Sequence, residues 1–120
     1  MEKKEEEQPG LQRLTAILEE ALTAGPDYID FEYNPNEGWE VYFVRGHSGS
    51  GYIITDRQER DELRGCLYQK ARLSKKSRGR FILTLLGEKY SIALKEYESF
   101  GERCYKLKIR GLAGKRTQKE

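Results

Sequence analysis

The sequence predicts an α+β fold, a single antiparallel sheet of about six strands with its helices on one face, in helix-βββ-helix-βββ order. Three observations carry this. Two segments place apolar residues at helical offsets of three and four. Each is followed by three runs in which apolar and polar residues alternate with period two. The connections between the runs are short, which favours antiparallel neighbours.

The first helix is expected over residues 11–24, where Leu11, Leu14, Ile17, Leu18, Ala21 and Leu22 form one stripe. Gly25 and Pro26 end it, the glycine as a left-handed cap and the proline because it cannot continue the hydrogen bonding. Residues 25–46 then read as strand, turn and strand, the hairpin expected in the middle of the sheet. Ile29, Phe31 and Tyr33 alternate with Asp30 and Glu32, and Trp39, Val41 and Phe43 alternate with Glu40 and Tyr42. The turn between them, residues 34–38, is rich in Asn, Pro and Gly. Trp39, Val41 and Phe43 are expected in the core, with Asp30, Glu32 and Glu40 on the other face. A third strand is expected at residues 51–55, joined through a glycine-rich loop, residues 46–50. That loop lacks the Lys and hydroxyl residue that a phosphate-binding loop needs after its last Gly, so it is a hairpin connection.

Thr55 with Gln58, and Asp56 with Glu59, both have capping-box spacing for the second helix. Its narrow apolar stripe is Leu63, Cys66, Leu67 and Ala71, and Gly65 inside it suggests a close approach to a neighbour. Three more strands follow. Phe81, Leu83 and Leu85 alternate with Ile82, Thr84 and Leu86, a strand apolar on both faces and therefore expected centrally. Tyr90, Ile92 and Leu94 alternate with Ser91, Ala93 and Lys95. Tyr105, Leu107 and Ile109 alternate with Cys104, Lys106, Lys108 and Arg110, whose cationic face is expected in water. Residues 1–10 are expected as a disordered tail, residues 11–110 as one domain and residues 111–120 as a basic tail.

Composition narrows the function classes. No run approaches the roughly 20 apolar residues of a membrane-spanning helix, and the N-terminus lacks the apolar segment of a signal peptide, so a cytoplasmic protein is expected. Cys66 and Cys104 lack metal-ligand spacing and are expected as buried thiols. His47 is the only histidine, too few for a zinc site of the usual ligand count. With unpaired cysteines and no close carboxylate pair legible, the common acid–base and nucleophile arrangements lack parts, and neither an enzyme nor a cofactor or metal is expected.

The ordered set of motifs resembles the second N-terminal domain of the ATPases that power type II secretion and type IV pilus assembly. A short helix leads there into an Ala-Ser-Asp-Ile-His-Ile-Glu-like strand, a place occupied here by residues 25–32, GPDYIDFE. A Gly-led strand ending in Arg and Gly follows (residues 38–46), then a helix ending near Ala71, Arg72 and Leu73. A Gly-Arg pair, Gly79 and Arg80, enters the next strand, and residues 100–104, FGERC, form the last turn. The resemblance covers residues 11–109 and implies a PAS-like fold. It also implies a nucleotide-sensing role for an arginine at the position of Arg80. The segment before Gly79 is shorter than in the family and lacks its Pro and Asp, and no Walker A loop occurs in the chain. The resemblance therefore implies a non-catalytic module.

Net charge is only +2, but it is unevenly placed, with basic clusters at residues 70–80 and 106–119. The candidate partner-binding residues are Lys75, Lys76, Arg78, Arg80, Lys106, Lys108 and Arg110, a basic ridge suited to docking a protein partner, which the resemblance implies is a component of secretion or pilus machinery. Two other classes fit parts of the pattern. Basic clusters with Tyr42, Tyr52 and Tyr97 could hold nucleic acid. A small chaperone-like binder shares the helix-and-sheet order.

Overall fold

The computed structural model describes residues 8–34, 38–73 and 76–112. The chain runs α1 (Leu11–Ala24), β1 (Tyr28–Asn34), β2 (Gly38–Arg45), β3 (Ser48–Ile54), α2 (Arg57–Lys70), β4 (Arg78–Leu85), β5 (Glu88–Ser99) and β6 (Glu102–Gly111). The six strands form one open antiparallel sheet in the order β3-β2-β1-β6-β5-β4. The expected α+β class and element order are both present.

Local chemistry sets the element ends. The Gly25 N–H closes α1 on the Ala21 carbonyl with Gly25 at φ 71, a left-handed conformation that a residue with a Cβ adopts at a cost. Of the two capping boxes, Asp56 supplies the cap: its Oδ2 accepts from the Glu59 N–H at 2.8 Å. The connection between β2 and β3 is tighter than the sequence suggests. Gly46, at φ 59, and His47 make the whole turn, and residues 48–50 already belong to β3, paired in register with Arg45, Val44 and Phe43. The hairpins β4–β5 and β5–β6 turn on Leu86-Gly87 and Phe100-Gly101, and all four residues have positive φ. Leu86 and Phe100 stand 61% and 76% exposed, bulky apolar residues where Asn or Asp is usual.

One face of the sheet carries the core. Ile29 and Phe31 of β1 stand opposite Phe43 and Val41 of β2 on one side and Leu107 and Tyr105 of β6 on the other. Leu14, Ile17, Leu18 and Ala21 of α1, with Leu63, Cys66 and Leu67 of α2, are buried in the same cluster. Trp39 packs between Phe31 and Tyr105, with ring centroids 5.5 and 5.9 Å away. Each fully buried side chain of this size contributes roughly 1.5–3 kcal/mol, so the stability of the sheet resides on this face.

Three expectations need correction. The β4 strand is an edge, not a central strand. Its second face is exposed, with Ile82 at 55%, so apolar character on both faces did not mean burial on both. The centre is instead β1 against β6, which leaves the first hairpin half central. Gly65 makes no close approach, because a Cβ there would meet nothing within 4 Å. The basic tail was expected from residue 111, but β6 extends through Gly111; residues 1–7 and 113–120 lie outside the described residues.

Candidate docking surface on the open face of the sheet

Period-two alternation sends every second side chain of each strand away from the helices. The register shows which of them become neighbours. One row crosses all six strands: Arg78 opposite Lys95, Lys95 opposite Lys106, Lys106 opposite Asp30, Asp30 opposite Tyr42 and Tyr42 opposite Gly51. Beside it Arg80 stands opposite Ala93 and Ala93 opposite Lys108, and in the next row Ile82, Ser91 and Arg110 follow one another. On the other flank Glu32 faces Glu40 across the β1–β2 ladder. The open face is thus divided by charge, with cations on β4, β5 and β6 and carboxylates on β1 and β2.

Of the seven residues read from the sequence as a ridge, the structure brings five together here: Arg78, Arg80, Lys106, Lys108 and Arg110. Lys76 is not among them. It lies before β4 and lines a cleft with residues of α2. Lys75 lies outside the described residues. Sequence reading missed Lys95, which sits between Arg78 and Lys106. Its place in the alternation of its own strand was visible, but membership of the cationic row depends on register. Lys70, the last residue of α2, and Arg72 just after it join Arg80 and Arg110 around a cavity of about 780 Å³, which extends the basic field to the β4 end of the sheet.

Directly opposed side chains on a sheet have Cβ atoms roughly 4.5–5.5 Å apart, and like charges there destabilise. Arg78, Lys95 and Lys106 break that rule twice in succession. None of Arg78, Arg80, Lys95, Lys106, Lys108 and Arg110 forms an ion pair within 4.0 Å among the described residues, whose ion pairs lie elsewhere. The Arg80 guanidinium reaches only the Ser91 hydroxyl, at 3.5 Å.

The boundary between the two halves is stitched together. The Tyr97 hydroxyl donates to Asp30 Oδ1 at 2.5 Å, and Lys106 Nζ lies 4.5 Å from the centroid of the Tyr28 ring. Asp30, Glu32, Lys95, Tyr97 and Lys106 line a cavity of about 300 Å³. Burial raises the Asp30 pKa above 3.8 even though the Tyr97 hydrogen bond and Lys106 pull it down. Burial raises Glu32 as well, reinforced by Asp30 and Glu40. A carboxylate pair therefore does form, contrary to the sequence reading, because the short turn places Glu32 and Glu40 at facing positions.

The remaining chemistry-bearing residues fall outside this face's charged rows or are inert. Cys66 and Cys104 are buried free thiols, as expected, and burial raises both pKa values. The Cys104 sulfur accepts from the Tyr33 N–H at 3.3 Å. His47 is exposed in its turn. No group of three or more His, Cys, Asp or Glu among the described residues is placed to hold a metal ion, and no helix of the described residues is long and apolar enough to cross a membrane. No protein-family model matches the sequence, and no curated protein matches it.

Proposed function

We propose that this chain is a non-catalytic docking module that binds an acidic segment of a protein partner through Arg78, Arg80, Lys95, Lys106, Lys108 and Arg110. One observation carries the reading: cations stacked in register across three adjacent strands, on the face without helices, with no counter-charge within ion-pair distance among the described residues. An intramolecular arrangement that costs stability is explained when an external anion completes it. The carboxylates on β1 and β2 favour a protein over a polyphosphate chain, because a strand of phosphates running past β6 would meet Asp30 and Glu32. A peptide with mixed charge can match both halves, and such matching sets encounter rate and specificity more than affinity. The resemblance to the N-terminal domain of secretion and pilus ATPases supports the same reading, since the segment that carries it, residues 11–109, holds no Walker A loop and would act by contact; Arg80 then serves the docking surface.

The test is a fluorescence-anisotropy titration at stepped salt with two probes of equal charge, a Glu-rich peptide and a single-stranded oligonucleotide. The peptide binds more tightly, and the combined substitution Arg78→Glu, Lys95→Glu, Lys106→Glu abolishes its binding. Absence of peptide binding overturns the proposal. An oligonucleotide that binds more tightly, with an affinity falling steeply with salt, replaces it with nucleic-acid recognition. Saturable ATP hydrolysis by the purified chain overturns the non-catalytic part.

A further inference from the structure

Where the end of α2 meets the edge strand β4, cations from two parts of the chain converge on one cavity. A Cβ at Gly79 would lie 2.2 Å from the Ala71 carbonyl oxygen, so glycine is what lets the helix end come this near to the strand. That approach places Lys70 and Arg72 with Arg80 of β4 and Arg110 of β6 around the cavity of about 780 Å³. Ile82 and Ser91 also line it, and no Asp or Glu does. None of the four cations forms an ion pair within 4.0 Å among the described residues. Ser91 is 6% exposed, and its hydroxyl accepts from Arg80 Nη1 at 3.5 Å, which leaves the hydroxyl proton to donate.

Arg72 stands at φ 56, in the position after the helix where glycine is usual. The Leu73 N–H donates to the Tyr68 carbonyl at 3.1 Å and the Arg72 N–H to that of Gln69 at 3.2 Å, so backbone groups close the helix and the Arg72 side chain is not needed for it. A guanidinium kept in a left-handed position, at a cost that glycine would avoid, is explained by what it does at the cavity. A carboxylate would bring one negative charge there. A phosphomonoester brings a charge of roughly −1.5 to −2 near pH 7 and three strong acceptor oxygens, the better match for three guanidinium groups, an ammonium and a hydroxyl. Arg80 and Arg110 belong both to the cavity and to the cationic rows of the open face, so a segment lying across those rows can set one side chain at the cavity. Ile82, 55% exposed, offers an apolar contact to the carbons that carry the phosphate.

We propose that this cavity binds the phosphoryl group of a phosphorylated serine or threonine in the acidic segment, a step that rests on the docking reading above. Fluorescence anisotropy tests it with four labelled peptides: a Glu-rich peptide, the same peptide with one phosphoserine, a phosphoserine peptide of otherwise neutral residues, and its unphosphorylated form. Phosphorylation strengthens binding to the full chain about tenfold or more in both backgrounds. Arg72→Gly combined with Lys70→Gln removes that gain. At about 0.15 M salt, where screening confines each charge to its neighbourhood, the same variant changes affinity for the unphosphorylated Glu-rich peptide by about twofold at most. Arg72→Gly alone suits the backbone and is at least as stable as wild type in thermal denaturation, so its loss of binding is not a loss of fold. A Glu-rich peptide that fails to bind beside a neutral phosphopeptide that binds overturns the docking reading and supports the cavity. No gain on phosphorylation, or a gain that survives the double variant, overturns the proposal while the docking reading stands. Free O-phosphoserine competing as tightly as the phosphopeptide assigns the cavity to a small phosphomonoester and overturns the peptide as its source.

Discussion

The same substitution at two glycines is expected to change stability in opposite directions, and the structure provides both magnitudes. Gly65 lies inside α2 with open space where its Cβ would be. Gly65→Ala therefore gains the helix propensity difference, about 1 kcal/mol, without a clash. Gly79 lies in β4, where a Cβ would sit 2.2 Å from the carbonyl oxygen of Ala71 and 2.6 Å from its Cβ. Ordinary carbon contacts need about 3.5 Å, so strand and helix end must separate by roughly 1 Å. Neither gives easily, since β4 is held to β5 over its whole length and Ala71 is 2% exposed. Gly79→Ala is expected to cost about 1–3 kcal/mol, the usual range for overpacking. At roughly 4 °C per kcal/mol the two variants differ in melting temperature by about 8–16 °C, with the wild type between them. Thermal and urea denaturation followed by circular dichroism measure both. A Gly79→Ala variant at least as stable as wild type would show that β4 does not press on the end of α2 as described.

Two further outcomes follow from the open face and the hairpin turns. The Asp30 pKa is raised above 3.8, so across the window that begins there the folded chain binds more protons than the unfolded one, and stability falls as pH rises. Asp30→Asn, whose amide oxygen still accepts from Tyr97, should be the more stable form at neutral pH, with the gap closing below pH 3.8; urea midpoints across a pH series check this, and a gap independent of pH contradicts it. Leu86 at φ 50 and Phe100 at φ 55 are exposed and left-handed, so Leu86→Asn and Phe100→Asn should each stabilise by about 0.5–1 kcal/mol in the same assay; a loss of stability would mean that these side chains make contacts their exposure does not suggest.

Periodicity made most of the fold legible. The stripe of α1, the alternation of Ile29 and Phe31 with Asp30, and that of Leu107 with Lys106 and Lys108 all assign the correct face, because burial on one side imposes period two on a strand and three to four on a helix. Position within the sheet was less legible. An apolar second face on Ile82 resembles burial, but a strand's place in the order depends on partners far along the chain, and β6 reaches β1 only through a contact some 75 residues apart. The same non-locality hid one of the six cations of the docking surface and the facing of two carboxylates. Lys95 becomes functional in this proposal only because it falls between Arg78 and Lys106, and Glu32 meets Glu40 only once the turn length is known.

The places where local rules are broken divide into two kinds. Leu86 and Phe100 break a backbone rule in turns whose glycines keep the hairpin geometry, and the cost stays local. The row Arg78, Lys95, Lys106 breaks a rule of charge, and it lacks something of a definite kind. The row lacks anions over an area the width of three strands, which suits an extended segment.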